Sequence, residues 1–311
     1  SDLEPNMIKV QDLAYVRFGV PDLDLMERFA ADFGLTLAAR VGNTLYHRGT
    51  GPSAYCHVAE LGEAGFRGLA FEAASASDLE AAAKIEGASP VEKLDAPGGG
   101  QRVRLRDPDG HVIEIVYGRE EVAALPVMTA TGVNRGSEKQ RLGIVHRPPS
   151  GPSSVKRLGH SVLKVADFAK SKAWYQGNLG LLSSDEIYLG APENVLSVFM
   201  RCDLGDAYTD HHTLAIAQIG EPGLEHAAFE VEDIDSLMAG HHHLTKAEYT
   251  HHAGVGRHIL GSQIFDYWKD PWGHTVEHYA DGDLLNARSE PQSSGAEVAL
   301  GTLWGPAPAP G

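Results

Sequence analysis

Cysteine is scarce in this chain: among 311 residues only Cys56 and Cys202 occur. Two, far apart, make no disulfide framework, so a reducing, cytoplasmic setting is expected. Long apolar runs are missing as well. No segment approaches the ~20 residues of a membrane span, and the opening SDLEPNMIKV lacks the basic and apolar regions of a signal peptide. Basic runs are also absent, and 42 acidic against 26 basic residues leave a formal charge of −16. That balance excludes nucleic acid and anionic membrane as partners. What remains is a chain long enough for two ordinary domains, carrying 16 histidines.

The stretch from His251 to Asp283 concentrates chemistry. It holds His258, then Tyr267, then Glu277, with the turn signal Asp270-Pro271-Trp272-Gly273 between two apolar-rich runs. In the second expected strand Thr275, Glu277 and Tyr279 share one face. A carboxylate facing a sheet interior needs a partner. Either a metal ion supplies it, or the strand is an edge and Glu277 meets water.

The chain also repeats itself. DLAYVRFGVPDLDLMERFAADFGL (12–35) matches RLGHSVLKVADFAKSKAWYQGNLG (157–180). GLAFEAASASDLEAAA (68–83) matches HAAFEVEDIDSLMAG (226–240), and LRDPDGHVIEIVYG (105–118) matches WKDPWGHTVEHYADG (268–282). Each copy reads strand–helix–strands–helix–strands. Asp22 and Asp167 are expected helix N-caps. Leu25, Phe29 and Phe33 should form the buried stripe of the first helix, and Phe168, Ala169 and Ala173 part of the second. The expected division is 1–118, a connection 119–156, a second unit 157–286, and an Ala/Gly/Pro-rich tail 287–311. Trp304 and the Pro-rich end should pack on another part of the protein, with a neighbouring subunit the expected place.

Set side by side, the copies differ where chemistry is expected. Tyr15 stands where the second copy has His160, and Gly68 where it has His226; only Glu114 and Glu277 agree. Each histidine alone is more simply a structural residue. Jointly, two imidazoles and a carboxylate make a metal set that leaves half an octahedron open, which suits Fe(II) binding substrate and dioxygen together.

Here the residues resemble the vicinal oxygen chelate superfamily, and the second half resembles its two-domain, type I extradiol catechol dioxygenases. The resemblance covers nearly the whole chain except the tail and is most specific in DHHTLAI (210–216) and LEHAAFEV (224–231). It implies an α+β fold of two tandem domains, each of paired βαβββ modules forming an open, barrel-like sheet. It implies Fe(II), with Mn(II) as the alternative ion, on His160, His226 and Glu277, and extradiol cleavage of a catechol by O2. His212 falls at the family's acid–base histidine, His258 at its second pocket histidine and Tyr267 at its tyrosine. A homo-oligomer, dimer or tetramer, is expected.

Val162, two residues beyond His160, points the same way and favours an apolar ring substituent. His251 is expected at the pocket mouth, with His252, whereas His241–His243 read as a solvated face following a helix. Two other classes share the fold. A glyoxalase-like isomerase or epimerase takes carboxylates from both sets of module positions, and a metal-free binding protein dispenses with the ligands.

Overall fold

The computed structural model describes residues 8–128 and 131–307, and among these no helix is long and apolar enough to cross a membrane. The first half opens with β1 (Val10–Val20), α1 (Leu23–Phe33), β2 (Thr36–Val41), β3 (Thr44–Arg48) and β4 (His57–Leu61). It repeats that order with β5 (Gly65–Ala73), α2 (Ala76–Ala82), β6 (Glu92–Lys93), β7 (Gln101–Arg106) and β8 (Val112–Tyr117). These are two βαβββ modules. Their strands form one eight-stranded sheet, ordered β2-β3-β4-β1-β5-β8-β7-β6.

The second half repeats the plan. It runs β9 (Val155–Lys164), α3 (Phe168–Leu179), β10 (Leu182–Tyr188), β11 (Val195–Arg201), β12 (Thr209–Asp210) and β13 (Leu214–Ala217). There follow β14 (Gly223–Val231), α4 (Ile234–Lys246), β15 (His251–His258), β16 (Ile264–Lys269) and β17 (Thr275–Ala280). Last come β18 (Leu284–Leu285), β19 (Gln292–Gly295), α5 (Ala296–Ala299) and β20 (Thr302–Trp304). The second sheet reads β19-β10-β11-β13-β9-β14-β17-β16-β15-β20, and β12 pairs with β18 apart from it. Stripped of β19 and β20, its order is that of the first sheet. The expected duplication is therefore a duplication of topology.

Local chemistry sets the helix ends. Asp22 accepts from the Leu25 amide and Asp167 from the Lys170 amide, satisfying donors left free at each N-terminus. Gly34 closes α1 in the left-handed region at φ 100°, and a Cβ there would lie 1.9 Å from the Ser153 carbonyl. The buried stripes differ from expectation. In α1 they are Leu23, Met26, Phe29, Ala30 and Phe33, with Leu25 at the rim. In α3 they are Phe168, Ser171, Tyr175 and Leu179, and Ala169 and Ala173 are exposed, because two alanines present too little surface to steer the helix.

The tail belongs to the second sheet of its own chain. β19 adds to β10 and β20 adds to β15, so a short segment ties the two open edges together. Trp304 sits beside Arg257 of β15, with the guanidinium 6.0 Å from its ring centre. Within its own chain, Trp304 thus stands on an edge strand that packs the tail against β15.

The halves meet through α1, whose aromatic side packs on the outer face of the second sheet. Phe33 stacks on His278 at 3.9 Å and meets Phe229 edge-on, and the His278 ring donates to the Phe33 carbonyl at 2.6 Å. Nearby, the cross-strand pair His47 and His57 is buried, and no nitrogen of His47 nor Nδ1 of His57 has a partner. Burial lowers His47 to about 4, His57 to about 3 and His278 to about 4. The sign follows. Each folded-state value lies below the ordinary one near 6.5, so the unfolded chain binds these protons first. Their contribution is complete above pH ~6.5 and is lost as pH falls toward 3–4, at up to about 1.4 kcal/mol per pH unit for each proton. Urea unfolding of chelator-treated protein between pH 7.5 and 4.5 should show this fall, with a shallower slope for His57→Phe. An unchanged slope in that variant contradicts the assignment.

Candidate metal centre

Three adjacent strands bring the centre together. His160 on β9 and Glu277 on β17 both stand opposite Ala228 of β14, in one row across the sheet. His226 lies two residues before Ala228, hence on the same face. Ala228 is small enough to leave room between them. His160 Nε2 lies 3.2 Å and His226 Nε2 3.1 Å from Glu277 Oε2.

All three side chains are buried, Glu277 completely. Yet Glu277 Oε1 has no partner, and His226 Nε2, though near the carboxylate, makes no hydrogen bond of acceptable geometry. Burial alone would lower His226, but Glu225 and Glu277 on either side outweigh it and hold the ring at about 10. Burial would raise Glu277, and the two imidazoles outweigh that and hold it low. Converging lone pairs, orphaned atoms and a local demand for positive charge fit a divalent cation.

The first half provides an internal control. Its matching row is Tyr15, Ala70 and Glu114, with Gly68 at the place of His226 and Arg17 at that of Val162. Here Glu114 is satisfied by protein. Tyr15 donates to Oε2 at 2.8 Å, Arg102 to Oε1 at 2.8 Å, and Arg17 lies 3.8 Å away. Guanidinium charge fills the space that the second half leaves for an ion.

Glu225 was not legible as part of the centre, since neighbours on a strand point to opposite faces. The β9–β14 register shifts between Leu224 and His226, and this bulge lets the Glu225 carboxylate reach His226 Nδ1. That contact directs Nε2 toward Glu277 and His160, as carboxylate partners of ligating histidines do.

His212, just ahead of β13, packs over His160 with ring centres 4.2 Å apart. Its Nδ1 lies 2.9 Å from His211 Nδ1, and His211 Nε2 lies 2.5 Å from Asp185 Oδ2. An Nε2–H on His211 donating to the carboxylate leaves its Nδ1 to accept from His212, so His212 keeps a basic Nε2. Burial holds His212 well below the imidazole range and lowers His258 to about 4. His258 Nε2 is 3.0 Å from the Tyr267 hydroxyl, and Tyr267 packs edge-on to His226.

A cavity of about 170 Å³ reaches the centre from the side of His160 and His212, with Gln263, Tyr279 and Leu284 in its wall. Gln263 is buried with its Oε1 unpartnered, a polar group the sequence did not flag. Val162 stands opposite His226. His251 departs from expectation. The β15–β16 register shifts between His251 and Ala253, turning its ring to Asp266 on the opposite face, while His252 lies 6.5 Å from Tyr267. His241–His243 lie within α4 and are not simply solvated: His241 meets Asp266 and His243 meets Asp32 of α1.

The family model of the Glyoxalase/Bleomycin resistance protein/Dioxygenase superfamily matches residues 157–278. Metapyrocatechase 2 of Cupriavidus necator is 29% identical over 301 residues, covering 96% of this chain and 89% of that protein. Among solved structures, the Mn(II)-bound glyoxalase from Novosphingobium aromaticivorans superposes with a TM-score of 0.79 at 24% identity, covering 98% of this chain and 96% of that one. The 2,3-dioxygenase LapB from Pseudomonas sp. KL28 gives 0.75 at 19%, covering 94% and 99%. The duplicated βαβββ sheet and the ligand row confined to the second half agree with these likenesses: residues 157–278 match the Glyoxalase/Bleomycin resistance protein/Dioxygenase superfamily, and the chain along its length is similar to two-domain, type I extradiol dioxygenases.

Proposed function

We propose that this protein opens the ring of a catechol by extradiol cleavage with O2, in the breakdown of aromatic compounds, using one divalent ion on His160, His226 and Glu277. Fe(II) is the ion proposed, with Mn(II) the alternative. The reading is carried by one observation: two imidazoles and a buried carboxylate converge with unpartnered atoms, and the adjoining strand β13, Leu-Ala-Ile-Ala, offers no fourth ligand. A glyoxalase-like isomerase needs a carboxylate from that first module. A metal-free binding protein would leave Glu277 Oε1 buried without a partner.

Held by His160, His226 and Glu277, a divalent ion would supply the Lewis acidity that eases loss of a phenolic proton and a place for catechol and O2 to meet. The remaining work falls to side chains. His212, neutral and presenting Nε2, takes a substrate proton and returns it as the ring opens. Asp185 and His211 hold its tautomer. His258 and Tyr267 stand as donors for oxygen-centred negative charge. One C–C bond beside the diol breaks and both oxygen atoms enter the product, a yellow muconic semialdehyde or its ketone analogue.

The cavity restricts the substrate. Asp210, Glu230, Asp281 and Asp283 line it, and among the described residues only Arg157 and Arg257 pair with members of that set. This acidic lining favours a catechol with an uncharged substituent over one with a carboxylated side chain.

Oxygen uptake by Fe(II)-loaded protein given catechol, 3-methylcatechol, dihydroxybiphenyl and 3,4-dihydroxyphenylacetate tests the reading. Rapid uptake with yellow colour is expected for the first two and little for the last; no uptake with any catechol contradicts it. His212→Asn should retain the ion and catechol yet turn over ~10²–10⁴-fold more slowly. Asp185→Asn should lower kcat while KM for the catechol stands. Glu225→Gln should weaken the ion's binding by ~10–100-fold in chelator competition, and unchanged affinity there removes Glu225 from the centre.

A further inference from the structure

We propose a second divalent-cation site, of the kind that binds Zn(II), formed by His241, His251 and Asp266 on the outer face of the C-terminal sheet. Asp266 on β16 is fully buried. Its Oδ1 lies 2.7 Å from His251 Nε2 on β15, and its Oδ2 lies 3.0 Å from His241 Nδ1 on α4 and accepts from Trp268 Nε1 at 2.7 Å. One ligand atom from each of the three residues lies within 4.8 Å of the others.

The donor chemistry suits a borderline ion, since imidazole nitrogen and carboxylate oxygen are ordinary Zn(II) ligands at ~2.0–2.2 Å. Tetrahedral bonds of that length set ligand atoms roughly 3.3 Å apart, so the two rings, which meet different oxygens of Asp266, have to swing over one oxygen from ligand atoms already within 4.8 Å of one another. The rings have that freedom, with side-chain exposures of 23% for His241 and 32% for His251. The same open side admits the ion and a water as fourth ligand.

The duplicated fold supplies an independent observation. Asp266 stands opposite His278 where the first half pairs Val103 with Ile115, all four buried. An apolar pair therefore suffices for this position of the fold. Burying a carboxylate instead is costly until partners are found, and two of the partners found here are imidazoles from separate elements. The Asp107–Asp109–His111 cluster differs in kind. Asp107 caps a turn through the amides of residues 109 and 111, as Asp270 does through those of 272 and 274, so that cluster is a turn present in both halves.

An ion held here fastens α4 to the β15–β16 hairpin, whose other face carries Tyr267. The inference does not depend on the reaction proposed above. Full-length protein equilibrated with Zn(II), desalted and analysed for total divalent metal should hold two ions per chain. Glu277→Gln should hold one, His251→Ala one, and the double variant none. Zn(II) should raise the Tm of Glu277→Gln but not of Glu277→Gln/His251→Ala. His241→Ala provides a second substitution at a partly exposed position should His251→Ala fold poorly. Two ions retained in both histidine variants, or equal zinc in Glu277→Gln and the double variant, overturns the proposal and leaves Asp266 a hydrogen-bonded clamp.

Discussion

A fully buried carboxylate with one oxygen lacking a partner is the constraint on which the catalytic half depends. Glu277 lies at the centre of a sheet, where an unpaired charge is costly. Two imidazoles approach one of its oxygens, and Glu225 adds further negative charge behind His226. A divalent cation at their meeting point satisfies every one of these groups together. Under the proposed function the same ion would hold the diol, so one electrostatic requirement would serve folding and chemistry alike.

The N-terminal half meets that requirement differently. Glu114 occupies the same place in the same topology, but Tyr15, Arg17 and Arg102 surround it. A guanidinium cannot give up its proton or bind a diol, so that half keeps the fold without the chemistry. Its contribution to the whole is mechanical. α1 covers the outer face of the second sheet, with Phe33 against Phe229 and His278, directly behind the strands that carry His226 and Glu277. The tail completes the enclosure by joining the two open edges of that sheet, with β20 paired beside His258.

The repeat made most of this legible. Because both copies share one ladder, irregularities included, matching them sets His160 and Glu277 in one row and shows which half lacks the histidines. Legibility failed where the ladder breaks. A register shift brings Glu225 onto the side of His226, and another turns His251 away from the cavity; neither follows from alternation. The Asp185–His211–His212 chain joins residues far apart in sequence, through strands that pair only in the folded sheet. The tail gave no pattern at all, since a Ser/Ala/Gly/Pro composition carries no apolar periodicity even when the backbone adds to an edge.

The central claim is that the second half alone holds a catalytic ion, between His160, His226 and Glu277. Anomalous diffraction at the manganese edge from crystals grown with Mn(II) and soaked anaerobically with catechol addresses it directly. The account predicts a peak within ~2.0–2.3 Å of the two Nε2 atoms and a Glu277 oxygen, as N/O ligands to such ions require, with both catechol oxygens on the metal and His212 Nε2 toward the ring. A peak at Glu114, or catechol bound without touching the metal, would contradict it.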